Sequence, residues 1–543
     1  MSKRRRDCDS DLPQKRIRSH DVRPVDRLSS LSNELLLHIL SFLPVSSLNI
    51  CQRISHRFHT LGGDSELWKR QYYSQWVRPR ARRLANTRRT APPSKVDYSP
   101  RVATWFDHGH LAHEGNWKRQ YRLRHNWSRG LCRVTEVEFP EPSSPPTLVR
   151  FCAGIVFMAD SASGLRAWTA KDHARCVASV PLSGPSDSSE SPTALAVSQI
   201  HGHVEISVGL ENGDFSLFLL NLQTFQLELQ FSHAACNGAI TAMALSTPYL
   251  LVVSQHKHLT LYRLHYRDQG EVTGTAEPRR LASLKADNIV APMTLSLRVS
   301  PSDIIATIVY SFFHIGCGWS LGIQELRLDK DGQQLDSRLT TTVDSQYGVR
   351  PLLGLQPGNQ RPSAAEPDNC PPTPDAPFIL HRKPPTSMSY CHPYLLTSHA
   401  DNTLTMYLVV STSDNLFVQG GRRLWGHTSS VSAVQVTKRG KAVSVSSRGD
   451  EIRIWELETA ISSLGTRKAP KEDHGIQLST GNKDESEPAL PMTLSESLNS
   501  TGLDVDSPRW SRMQDCVGFD EERVLLLRER GVGTQLLECY DFT

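Results

Sequence analysis

Between positions 31 and 68 apolar residues recur every three or four positions, and beyond position 131 they recur in short runs cut by turns. In the first stretch Leu35, Leu36, Ile39, Leu40 and Leu43 keep the spacing of one helical face, which predicts a helix. Ser32 is placed to cap it, Glu34 suits the positive end of its dipole, and Pro44 stops it. A second stripe, Leu48, Cys51, Ile54, Phe58 and Leu61, predicts a second helix capped by Ser46 or Ser47. Gly62 and Gly63 end it, as glycine does at a helix C-terminus. Asp64 caps a third short helix that buries Leu67 and Trp68. A domain this small is marginal alone. The helical pattern by itself fits either a surface that docks on another protein or a cap packed against the rest of the chain.

The ordered series from Leu31 to Trp68 resembles the F-box, an element that attaches a chain to a ubiquitin-ligase scaffold. One departure is visible: Ser32 stands where the family usually has proline. The resemblance implies that Leu31, Leu35, Ile39, Leu40, Leu43 and Pro44, with Leu67 and Trp68, contribute to the adaptor-binding side.

The following residues, 76 to 130, are strongly basic, with Arg78, Arg80, Arg82, Arg83, Arg88 and Arg89 close together. Pro92, Pro93 and Ser94 mark a break within them. The series Trp68, Lys69, Arg70, Gln71, Tyr72 then recurs as Trp117, Lys118, Arg119, Gln120, Tyr121, and Leu123 and Trp127 extend the second copy on a helical face. The echo predicts helical packing between the two copies. F-box/WD-repeat proteins carry a similar helical connector before their first strand, and Trp127, Arg129 and Gly130 resemble its end.

From Leu131 onward β-rich runs end in an aromatic after a turn: Trp168 after Gly164, Phe218 after Gly213, Tyr262 after His258, Tyr407 after Asp401 and Trp455 after Gly449. A strand repeat of about 40 residues means a propeller. One blade cannot bury two apolar faces alone, and a ring of blades does. Centres fall near 160, 210, 255, 315, 400, 448 and 530. Seven blades are expected, although Ile304 to Leu328 lacks the signature. Arg133 to Phe139 is positioned to latch the ring shut against the final strands. The stretch from Leu424 to Leu457 resembles a WD repeat. That resemblance implies a hydrogen-bonded network of His427, Ser447, Asp450 and Trp455, with the acid displaced by one position. Asp401 takes the usual acid position in the preceding blade.

The expected fold is multidomain: a small all-α F-box with a helical linker, then an all-β, WD-repeat-like propeller. The expected divisions are a basic disordered tail at 1–25, the F-box at 26–75, the basic helical linker at 76–130 and the propeller at 131–543. Inserts at 350–384, rich in proline, and 466–508, rich in Ser, Glu, Asp and Asn, read as disordered by composition.

Charge and chemistry narrow the function. The 543 residues carry a net charge of +5. Lys3, Arg4, Arg5 and Arg6, then Lys15, Arg16 and Arg18, resemble a bipartite nuclear-import signal, so nucleus or cytoplasm or both are expected. The charged N-terminus is no secretory signal, and no run approaches the ~20 apolar residues that span a bilayer. The eleven cysteines are scattered and form no Cys-x-x-Cys pair, which argues against disulfides and structural zinc. No phosphate loop, His-Glu-x-x-His pair or nucleophile elbow is present. His256 and His258 read as a polar blade turn, and His108, His110 and His113, in a polar segment before the Trp117 helix, as structural or solvated histidines. No metal, cofactor or catalytic residue is expected.

The F-box/WD-repeat resemblance implies the substrate receptor of an SCF-type ubiquitin ligase, with a Skp-type adaptor and a cullin scaffold as partners. The protein substrate is not readable. If it is phosphorylated, Arg166, Arg263, Arg422 and Arg453 are available to meet it. The alternatives are an adaptor-bound scaffold without ubiquitin transfer and a nucleic-acid-associated propeller. The basic run lacks a recognised nucleic-acid module, so neither nucleic acid nor membrane is an expected partner.

Overall fold

A computed structural model describes residues 28, 30–78, 116–139, 147–169, 175–182, 191–200, 202–234, 238–264, 278–285, 289–346, 379–412, 415–447, 451–457, 475–480, 510–511, 517–530 and 534–543. The chain divides into two compact units. One comprises Met1–Arg82 with His110–Tyr121, the other Arg83–Gly109 with Arg122–Thr543.

The first unit is helical. Helices α1 (Asn33–Leu40), α2 (Val45–Cys51), α3 (His56–Gly62) and α4 (Ser65–Tyr72) are followed by a π-helical turn, Tyr73–Val77, and the unit also holds the start of α5 (Trp117–Arg129). Asp64 caps α4 as expected, accepting from the amides of Glu66 at 2.9 Å and Leu67 at 3.3 Å. The second stripe proves to be two helices. Pro44, not Ser46 or Ser47, precedes α2, and Ser55 starts α3 by accepting from the Phe58 amide at 3.3 Å. The chain reverses between them because both ends are tied. Gln52 Nε2 donates to Gly62 O at 2.5 Å, and the Arg57 guanidinium donates to Leu31 O at 2.5 Å and Asn33 Oδ1 at 2.8 Å.

Leu36, Leu40, Leu48, Phe58, Leu61, Leu67, Trp68 and Tyr121 form the core of this unit. Trp68 Nε1 donates to Gly62 O at 2.7 Å, so the buried indole is satisfied. The sequence echo is a packing motif. Trp68 and Tyr121 meet at 5.3 Å between ring centroids, Trp76 and Tyr121 at 4.9 Å, and Tyr72 and Trp117 at 5.6 Å. Lys118 Nζ donates to Gln52 Oε1 at 2.6 Å.

The second unit is a seven-bladed propeller. Six four-stranded antiparallel sheets span 148–180, 192–233, 240–285, 290–341, 387–424 and 431–477. The strands of each follow sequence order outward from the centre. The innermost strands touch in cyclic order, and Val517–Phe519 of the seventh sheet touches both the first and the sixth, closing the ring. Leu131–Phe139 pairs antiparallel with Thr534–Asp541, from Arg133 opposite Asp541 to Phe139 opposite Gln535. The strand that precedes the first blade thus completes the last.

Alternate side chains of one strand serve two neighbours, which is why second strands read as unbroken apolar runs. In Ile155–Asp160, Ile155, Phe157 and Ala159 pack with Ile206 and Val208 of the second blade, while Val156 and Met158 pack with Leu525 and Leu527 of the seventh. The fourth blade, faint in sequence, has the longest strands of the ring, Ile304–His314 and Gly318–Leu328.

Parts of both compositional inserts are placed. Ile379 and His381 are buried, and Ile476–Gln477 is the outer strand of the sixth blade. A compositional window averages these few residues with their polar, proline-rich surroundings. The remainder of both inserts, the basic tail with Lys3 to Arg18, the linker at 79–115 with its histidine cluster, and Asp450 lie outside the described residues.

Candidate functional site

Helix α1 has two faces. Leu36 and Leu40 point into the helical core, and Leu35 and Ile39 point out, 54% and 43% exposed. Phe42 continues the outward row at 67% exposure, one turn beyond Ile39, with the Arg70 guanidinium 5.4 Å from its ring centroid. Ile50 and Ile54 are exposed as well. An apolar row of this size outside a satisfied core is the mark of a contact surface.

Of the residues assigned to the adaptor side, Leu35, Ile39 and Pro44 are exposed and Leu31 and Leu43 are half-buried. Leu40, Leu67 and Trp68 are corrected: they belong to the interior, Leu40 being 2% exposed. A helix with apolar residues on two faces gives Leu36 and Leu40 to the core and leaves Leu35 and Ile39 at the surface. Phe42, Ile50 and Ile54 are exposed apolar residues outside that assignment. Phe42 follows Leu35 by seven positions, a readable signal, whereas Ile54 faces outward only because the helix breaks at Gln52.

The sixth blade carries a polar chain inside its sheet. Trp455 Nε1 donates to Ser444 Oγ at 2.7 Å, and Ser444 Oγ lies 2.6 Å from His427 Nε2. The other ring nitrogen, His427 Nδ1, lies 3.4 Å from Glu451 Oε2, so the imidazole bridges the serine and the acid. Glu451 Oε2 accepts from the Thr428 amide at 2.8 Å and its hydroxyl at 3.0 Å, and Glu451 Oε1 accepts from Arg453 Nε at 2.6 Å. Burial opposes ionisation, but these donors hold the Glu451 carboxyl below its ordinary value.

The assigned Ser447 is therefore corrected to Ser444. Ser447 instead bonds the Ser430 hydroxyl at 2.5 Å. The acid of the network is Glu451, next to the expected Asp450. Asp401, in the fifth blade, closes its own turn: Oδ1 accepts from the Thr403 hydroxyl at 2.6 Å and its amide at 3.3 Å. The imidazole facing Thr397 there is His399, at 3.0 Å, and Tyr407 fills the aromatic position.

The arginines available for a phosphate are already engaged in part: Arg166 pairs with Asp160 and Arg453 with Glu451. Among the described residues no three His, Cys, Asp or Glu side chains gather as a metal site, and no helix is long and apolar enough to cross a membrane.

Residues 132–543 match the family described as F-box protein pof12 beta-propeller, and residues 28–74 match the F-box-like family. The chain belongs to the F-box protein pof12 beta-propeller family. Within the pof12 propeller family, the F-box protein pof12 of Schizosaccharomyces pombe is 22% identical over 456 residues, which cover 80% of this chain and 86% of that protein. The F-box protein dre-1 of Caenorhabditis elegans is 43% identical over 47 residues, 9% of this chain and 5% of that protein. Among solved structures, the WD40 beta propeller domain of Doa1 aligns with a TM-score of 0.35 at 10% identity, covering 75% of this chain and 95% of that one.

Proposed function

We propose that this pof12-family chain is the substrate-recognition subunit of an SCF-type E3 ubiquitin ligase. The observation that carries the reading is the outward row Leu35, Ile39 and Phe42 on a helical unit whose own core is already complete. Such a row is suited to a Skp-type adaptor, itself held by a cullin. An interface of standard size, ~800 Å² per partner, needs an apolar centre of this kind.

The chain then performs no bond chemistry. The propeller holds a substrate, and the adaptor links it to the ubiquitin-loaded conjugating enzyme. The gain is effective concentration of a substrate lysine near a reactive thioester. The two basic clusters at Lys3 to Arg6 and Lys15 to Arg18 support nuclear import, tested by the distribution of a variant with both clusters neutralised.

The deciding experiment pairs adaptor pull-down with ubiquitination of bound partners. Leu35→Asp with Ile39→Asp is expected to abolish both. A variant that still binds adaptor refutes the docking face. A partner that binds but never accumulates on proteasome inhibition assigns the chain to a scaffold instead.

A further inference from the structure

The fourth blade has a projection the ring does not need. Its inner strand stops pairing at Val290 opposite Ser311, and its outer strand at Thr341 opposite Gly322. The hairpin between them runs on through three more pairs, Phe312 with Ser320, Phe313 with Trp319 and His314 with Gly318. The tip is built to hold its shape. His314 Nδ1 accepts from the amides of Gly316 and Cys317, both at 3.2 Å. The returning arm of the hairpin is pinned by the Trp319 amide, which donates to His381 O at 2.9 Å.

This rigid tip is apolar. Ile315 at its turn is 96% exposed, and Phe313 beside it is exposed against the edge of Trp319, 6.0 Å between centroids. In an antiparallel meander the turn between second and third strands and the connection to the next blade lie at one end. The neighbouring connections accordingly join the same surface. Leu380, exposed, precedes His381, and Leu380 O accepts from Arg423 Nη2 at 3.1 Å. The Arg423 guanidinium lies 5.9 Å from the ring centroid of Trp425, which is 56% exposed. Arg382 and Lys383 are exposed next to Leu380. The acid nearby, Asp401, faces Arg423 at 3.8 Å.

We propose that this surface, Phe313, Ile315, Leu380 and Trp425 rimmed by Arg382, Lys383 and Arg423, docks an extended acidic peptide segment of a partner protein, bulky apolar side chains alternating with Asp or Glu. The inference rests on the receptor reading for its biological meaning, not for its chemistry. Rigid aromatic anchors beside arginine are the composition of binding centres. The cationic rim selects an anionic partner, and a second copy of this chain, itself +5, is disfavoured by like charge. The aliphatic Ile315 and Leu380 favour a peptide over stacked nucleic-acid bases.

The test uses the full chain and two fluorescent peptide pools, one alternating Asp or Glu with Leu, Phe or Trp, the other with Lys or Arg in place of the acids. Anisotropy is expected to show binding of the acidic pool alone, weakening with salt. Ile315→Ser with Trp425→Ser, both at exposed positions, is expected to lose about tenfold in affinity, ~1.4 kcal/mol. Arg382→Glu with Lys383→Glu is expected to lose a similar factor. Equal binding of both pools, or acidic-pool binding unmoved by these variants, overturns the proposal. So does a dimer in sedimentation that Ile315→Ser dissolves, displacement by a single-stranded oligonucleotide, or binding seen only after deletion of residues 347–378. Adaptor pull-down separates the two readings: it stays intact in the Ile315, Trp425, Arg382 and Lys383 variants whichever way the peptide result falls, and is lost with Leu35→Asp and Ile39→Asp.

Discussion

The indole of Trp127 lies flat on the ring of Phe542, 3.9 Å between centroids and 13° from parallel. The pair joins the residues that enter the propeller to the residues that end it. Lys441 Nζ covers the indole 3.8 Å from its centroid, and burial, with Arg124 nearby, pushes that amine down to about 8. Trp127 Nε1 also donates to Glu521 O at 2.7 Å, and Asn126 Nδ2 to Phe542 O at 2.8 Å. Trp127→Ala is expected to destabilise the propeller by about 3–5 kcal/mol. Trp127→Phe, which keeps the stack and loses the hydrogen bond, should cost less than half of that. Denaturant unfolding of the two variants checks the order.

Ser444 and Ser447 offer a sharp contrast within one blade. Ser444→Ala leaves Trp455 Nε1 and His427 Nε2 facing no oxygen in a buried site, and leaving such a group unsatisfied costs about 1–3 kcal/mol. Ser447→Ala removes a hydroxyl on the exposed turn, where effects stay within about 0.5 kcal/mol. Thermal unfolding that ranks Ser447→Ala as the more damaging would return the network to the assignment made from sequence.

That assignment shows where legibility stopped. The ring, the latch of Arg133 to Phe139 and the packing of Trp117 and Tyr121 against Tyr72 and Trp68 were readable because each rests on a repeated apolar or aromatic pattern. The serine and the acid were not, because Ser444, Ser446 and Ser447 are equivalent as letters. Which hydroxyl faces Trp455 depends on register, Ala442 opposite Trp455, and hence on strand pairing. The outward row of α1 was half readable. Spacing put Leu35, Leu36, Ile39 and Leu40 on one broad stripe, but only packing against Phe58 and Leu61 decides that Leu36 and Leu40 turn inward. The Ile315 surface left no trace in the pattern, since its residues come from one hairpin tip, the end of a strand and two connections between blades.

The division of α1 predicts opposite outcomes from neighbouring substitutions. Leu35→Asp with Ile39→Asp places charges in solvent, so the helical unit keeps its circular-dichroism signal and cooperative melt while losing the adaptor. Leu40→Asp places an unpaired carboxylate among Leu48, Phe58 and Trp68. Burying an unpaired charge there costs several kcal/mol, and a unit this small does not survive it. Loss of adaptor binding in Leu40→Asp therefore reports unfolding, and only the outer pair tests the docking face.

The fifth blade predicts a pH dependence. His381 and His399 stack ring on ring, 3.8 Å between centroids and 5° from parallel, with Thr405 and Thr397 as their hydroxyl partners. Burial, with Arg423 beside it, pushes His381 down to about 4. Burial, with His381 against it, pushes His399 down to about 3. Both rings are thus neutral in the folded state, while an unfolded histidine takes its proton near 6.5. The unfolded chain binds more protons below that value, so the stability the pair contributes is complete above about pH 6.5 and is lost as the pH falls toward 4 and then 3. His399→Gln is expected to lower the melting temperature at neutral pH, because it breaks the stack. It should also flatten the decline between about pH 6.5 and 4, because one titrating ring is gone. Melting curves of the parent and the variant across that range check both, and parallel slopes would show that the acid sensitivity lies elsewhere in the ring.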